Sequence, residues 1–186
     1  DLAERLIEEL IQIDPAYDEV HIQKANILSK RGLHKEAISA LQTALKLSPD
    51  DPDVLSMLGM ELLFEENFEE AKWIFMRCLQ EDPEDYSSLY NLVYCFELLE
   101  KPNESISFLE NFIDQNPYSE VAWHELGRQY FQIKEYSQAY RAFDYANLID
   151  ESFIGAYIEK GKVLEKLKKY NQAIVNYKIT LQLDDP

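Results

Sequence analysis

The chain has 186 residues and a mass of 21.8 kDa; 46% of it is hydrophobic and 28% charged, with 5 glycines and 7 prolines. That composition excludes an intrinsically disordered chain, a flexible linker and a loop-rich β sandwich. A net charge of −17, from 35 acids against 18 bases, opposes phosphate backbones and anionic membrane surfaces, so neither nucleic acid nor a membrane is an expected partner.

Residues 1–14 place Ala3, Ile7 and Leu10 at helical spacing and predict one helix. From there the chain repeats itself every 34 residues. Pro15, Pro49, Pro83 and Pro117 mark the period, and each follows a short polar residue (Asp14, Ser48, Asp82, Asn116). Small residues recur in two columns: Ala25, Gly59, Val93, Gly127, Gly161 and Ala37, Ala71, Ser105, Ala139, Ala173. Bulky apolar residues fill two more: Leu28, Leu62, Phe96, Tyr130, Leu164 and Leu41, Phe75, Leu109, Phe143, Tyr177. Spacings of three and four within each period, as in Ala37, Leu41 and Ala44, predict two helices of about 13 residues joined by a tight turn. The proline ends the second helix by removing a donor and biasing the preceding residue out of the helical region. Small residues fall where two helix axes cross closely.

The fullest set is Trp123, Leu126, Gly127, Tyr130, Ala139, Phe143 and Ala146. It resembles the tetratricopeptide repeat family. The resemblance implies an all-α fold, a right-handed α-solenoid of helix hairpins. On that reading residues 1–14 are the second helix of a truncated preceding repeat. Residues 15–186 then hold five repeats (18–51, 52–85, 86–119, 120–153, 154–186) in one continuous solenoid, expected to be a fragment of a longer array because neither end carries a polar capping helix. The third repeat departs from the pattern at Val93, Ser105 and Phe112, and Pro102 stands where Phe68, Tyr136 and Tyr170 occupy the turn.

In this family the first helix of each repeat lines a concave groove that holds a partner's peptide or helix. The stripe Leu55, Leu58, Gly59 and Leu62 faces the core, so Met57, Met60 and Phe64 are expected on the opposite side, which a surface helix keeps polar. The equivalent trios are Gln23, Asn26 and Lys30; Asn91, Tyr94 and Leu98; Glu125, Arg128 and Gln132; and Glu159, Lys162 and Lys166. Apolar character is thus confined to repeats 2 and 3, a central patch with a polar rim. The expected contact residues are Met57, Met60, Phe64, Tyr90, Asn91, Tyr94, Leu98, His124 and Arg128. Met57, Met60 and Tyr94 would bury apolar surface, Asn91 would hold a ligand backbone, and Arg128 would meet an acidic group. The family's carboxylate clamp is not expected, since its slots hold Ile22, Asn26, Met57, Ser87 and Asn91 and lack its cations.

No phosphate-binding glycine loop is present. His124-Glu125 starts a zinc-protease pattern, but Arg128 stands where the second histidine belongs. His21, His34 and His124 fall in different repeats, and Cys78 and Cys95 lack metal-ligand spacing. Cys78 sits in a small-residue column and reads as a buried structural thiol. Two cysteines make no disulfide framework, which points to a reducing, cytoplasmic setting. No apolar run approaches the ~20 residues that cross a bilayer. The expectation is a non-catalytic protein-interaction module with no cofactor and no metal, whose partner is a protein or peptide. The alternatives are a self-assembly scaffold, or the recognition arm of a larger enzyme or sensor. Repeat 52–85 has ten acids against two bases and repeat 154–186 four against six, an asymmetry that suits head-to-tail self-association.

Overall fold

Three helix starts in this chain are set by the residue two places after a repeat's proline, Pro49, Pro83 or Pro117. Asp51, Asp85 and Ser119 occupy one column, and each side chain accepts a backbone N–H of the first turn: Asp51 from Asp53 and Val54, Asp85 from Ser88, Ser119 from Ala122. Such caps satisfy donors that a helix start leaves unpaired.

The computed structural model describes residues 2–184. Among them it has eleven helices and no strand: α1 (Leu2–Ile13), α2 (Asp18–Lys30), α3 (His34–Leu47), α4 (Pro52–Phe64), α5 (Phe68–Glu81), α6 (Tyr86–Leu98), α7 (Pro102–Gln115), α8 (Glu120–Gln132), α9 (Tyr136–Ile149), α10 (Ile154–Lys166) and α11 (Tyr170–Asp184). The fold is all-α. Pro102 opens α7 at a position where a missing N–H costs nothing.

The helices cluster into two units, one running to Leu99 and one beginning at Glu100. In the first, α1 to α6 each pack on the next in chain order, and α4 also touches α6 directly. In the second, α7 to α11 pack in the same sequential way, and α8 also touches α10. Each unit is therefore a row of helices packed in chain order.

Five turns each hold one residue in the left-handed region: Gly32, Glu66, Glu100, Lys134 and Lys168, with φ between 55° and 74°. These five form a single column. Glycine takes that conformation without a Cβ penalty, so the four side-chain-bearing residues hold it at a cost.

Close crossings explain the small-residue column. A Cβ added to Gly59 would lie 2.5 Å from the Phe75 ring, and one on Gly127 would lie 2.6 Å from Phe143; Gly161 meets Tyr177 in the same way. Where the column holds Ala25 or Val93 instead, its bulky counterpart is Leu41 or Leu109 rather than an aromatic ring. The chain thus trades volume between two columns and keeps their sum roughly constant, as close packing demands. Leu41, Leu55, Phe75, Leu89, Leu109, Phe143 and Leu164 are completely enclosed.

Candidate functional site

The helix α4 buries Val54, Leu55, Leu58, Gly59 and Leu62, and α6 buries Leu89, Leu92, Val93, Cys95 and Phe96. The opposite face of α6 carries Tyr90, Tyr94 and Leu98 at successive turns, and these are 40%, 51% and 39% exposed. On α4, Phe64 is 58% exposed, while Met57 and Met60 are half-buried. Asn91 is half-buried as well, and its Nδ2 donates to the Met60 thioether at 3.1 Å. Two contacting helices therefore bring seven of the nine expected residues onto one unit, with the exposed apolar area carried by Phe64 and the α6 residues more than by the methionines. Asn91, expected to hold a ligand backbone, gives one of its two amide N–H groups to Met60.

Phe64 stacks on His34 of α3, with centroids 4.7 Å apart and planes at 20°. The His34 Nδ1 also meets Glu61 Oε2 at 2.7 Å, and Glu61 is only 6% exposed. The carboxylate thus sits inside the hairpin stack with its charge met by an imidazole from another helix. The sequence signal for it was weak, a single acid inside the leucine-rich stretch of α4. Beside Met57, a cleft of about 490 Å³ is lined by Pro52, Asp53, Ser56, Asp82, Asp85 and Ser87, an acidic border to the apolar face.

The other two expected residues belong to the second unit, and here the structure corrects the sequence reading. Glu125 was expected to face outward with Arg128 and Gln132, yet it is fully buried. Its Oε2 accepts from Arg128 Nη1 at 2.8 Å and its Oε1 meets His124 Nδ1 at 3.0 Å. A carboxylate paired twice can leave water; an unpaired one cannot. His124, expected as a contact residue, has a side chain only 12% exposed and sits edge-on to Phe153 at 5.1 Å and tilted against Phe143 at 5.6 Å. It is a packing residue. Arg128 keeps a side chain 39% exposed, held at one end by Glu125.

Among the described residues, no group of three or more His, Cys, Asp or Glu converges as a metal site. Cys78 and Cys95 are both buried and free, and burial pushes their thiols up to about 11 and about 12. Thiols held that far from ionising are poor nucleophiles. Cys78 donates to Pro52 O at 3.3 Å, as suits a structural thiol. No described helix is long and apolar enough to cross a membrane.

Two models of the family described as Tetratricopeptide repeat match the chain, over residues 1–60 and 52–85. Over 170 residues the chain is 24% identical to Anaphase-promoting complex subunit 3 of Schizosaccharomyces pombe, an alignment that covers 91% of this chain and 26% of that protein. The chain thus spans about a quarter of the length of that relative. Among solved structures, MamA superposes with a TM-score of 0.69 at 21% identity, covering 90% of this chain and 92% of that one. YrrB, described as a TPR protein with an unusual peptide-binding site, superposes with a TM-score of 0.64 at 19% identity, covering 95% and 91%. At these identities the two structures share the fold of tandem helix hairpins.

Proposed function

Starting from the premise that the chain belongs to the tetratricopeptide repeat family, we propose that it is a non-catalytic protein-interaction module. It binds a peptide or helix of a protein partner along the outer face of α4 and α6. The observation that carries this reading is the row Tyr90, Tyr94 and Leu98 beside Phe64, exposed aromatic and aliphatic side chains on two helices in contact. Tyrosine is favoured at binding surfaces because it offers large contact area at small entropic cost. Met57 and Met60 form the adaptable floor of that face.

The magnitudes suit reversible binding. Covering about 500 Å² of apolar surface gives ~12 kcal/mol gross, against ~4–15 kcal/mol lost on association and ordering. Two paired variants test the reading, Tyr90→Glu with Tyr94→Glu and Met60→Glu with Tyr94→Glu. The proteins recovered with the wild type by affinity capture and mass spectrometry are expected to be lost from both, with helicity retained. Retention of the whole set by both folded variants would overturn the assignment.

The charge asymmetry between residues 52–85 and 154–186 favours a second reading, a scaffold that assembles with its own copies. Light scattering over a concentration range separates the two. A scaffold grows in mass as protein is added and loses that growth in salt; an adaptor without a partner stays monomeric.

A further inference from the structure

The second unit holds another cavity, of about 420 Å³, between α7, α8 and α9. Its wall on α7 carries Glu110 and, one turn on, Asp114; the floor and far wall carry Trp123, Leu126, Tyr130 and Tyr145. Trp123 and Tyr145 stack at 4.6 Å with planes at 25°, and the indole N–H is tied to Pro117 O at 3.0 Å, so the aromatic wall is fixed in place. Tyr130 donates its hydroxyl to Glu110 Oε1 at 2.5 Å. Asp114 is exposed.

One period later the same columns show what such a wall can hold. Asp144 stands in the column of Glu110, Tyr157 in that of Trp123 and Lys160 in that of Leu126. The Lys160 ammonium lies 2.9 Å from Asp144 Oδ1 and 5.1 Å from the centroid of the Tyr157 ring, with Tyr140 at 5.8 Å on another side. Lys160 is only 7% exposed, so the carboxylate and the rings replace most of its water. In the α7–α9 cavity the carboxylate is kept, a second one is added, the Tyr157 ring becomes a larger indole and Tyr140 becomes Ile106. Leucine replaces the lysine that would have filled it.

We infer that the α7–α9 cavity is a binding site for a lysine or arginine side chain of a protein partner, with Glu110 and Asp114 as its counter-charges and Trp123 as its cation-binding face. Charge complementarity selects this occupant, since the chain as a whole carries −17 and draws basic segments toward it. Arg141 lines the cavity from α9 and makes no ion pair with Glu110 or Asp114 among the described residues. Its guanidinium disfavours a cation on the α9 side, which directs the incoming charge to the α7 wall, and it offers donors to the partner's backbone carbonyls.

The test uses three acetylated and amidated tripeptides, Gly-Lys-Gly, Gly-Arg-Gly and Gly-norleucine-Gly. They are titrated into isotope-labelled protein in which Trp73→Phe leaves Trp123 as the one indole. The lysine and arginine peptides are expected to shift the Trp123 indole N–H signal saturably at about millimolar concentration, and the norleucine peptide to leave it in place. Glu110→Gln with Asp114→Asn is expected to weaken the response about tenfold, and Leu126→Lys to fill the site from within and abolish it. Absence of a saturable shift with both basic peptides overturns the inference, as does an equal response to norleucine or an undiminished one in the carboxylate variant. If Leu126→Lys does not fold, the carboxylate variant decides alone.

Discussion

His21 and Trp123, three periods apart in the chain, make the same hydrogen bond. His21 Nε2 reaches the carbonyl of Pro15 at 3.0 Å, and Trp123 Nε1 reaches the carbonyl of Pro117 at 3.0 Å, six residues back in each case. A carbonyl only accepts, so the hydrogen of His21 sits on Nε2. The imidazole thus stands in for the indole, tying the start of α2 to the turn before it, and His21 is 9% exposed. Leu55 and Leu89, in the same column, fill the space without a donor.

From that equivalence, His21→Leu is expected to keep the packing and lose the bond, at a cost of about 1 kcal/mol. His21→Trp restores the donor and is expected to fall closer to the wild type than His21→Leu does. Urea denaturation midpoints of the three proteins check the order.

The trade between the glycine and aromatic columns predicts a rescue. Gly59→Ala drives a methyl into the Phe75 ring, 2.5 Å away before relaxation, and overpacking of this kind costs about 1–3 kcal/mol. Phe75→Leu alone leaves a void in a completely buried place and also destabilises. Together they reproduce the pair already present as Ala25 and Leu41. The double variant is expected to be more stable than the sum of the single costs predicts, a favourable coupling that a double-mutant cycle reads directly.

Tyr130 makes the alkaline limit of stability predictable. Burial, then its bond to Glu110, then the charges of Glu110 and Glu135 push the phenol up from 10 to about 12. The folded state therefore favours the neutral phenol. Its contribution is fully present below pH 10, the ordinary value, and is lost as pH rises from 10 through 12. Tyr177, which donates to Glu165 at 3.0 Å, adds a loss of the same sign over the same range. Melting temperature measured across this range is expected to fall less steeply for Tyr130→Phe than for the wild type. An identical slope for the two proteins would remove Tyr130 from the explanation.

Much of the architecture was legible in the chain. Prolines at a constant interval, small residues at helix crossings and bulky residues three and four places away announce paired helices, since burial repeats with the geometry of the helix. Part of the candidate surface was legible for the same reason. Tyr90, Tyr94 and Leu98 fall on the face of α6 that the core stripe leaves over. The left-handed turn column was not, because Glu66, Glu100, Lys134 and Lys168 carry no turn signal of their own and only Gly32 hints at the conformation they share.

The sequence by itself determined which side of each helix seeks the core, for that depends on side-chain spacing along one helix. Only the tertiary structure decided where charge goes. Glu61 and Glu125 occupy positions that spacing alone does not distinguish from solvated ones, yet both are buried, one against His34 and the other against His124 and Arg128. Pairing an ionised group inside a protein needs a partner at the right distance in space, and for Glu61 that partner comes from another helix. Lys160 finds Asp144 by the same route.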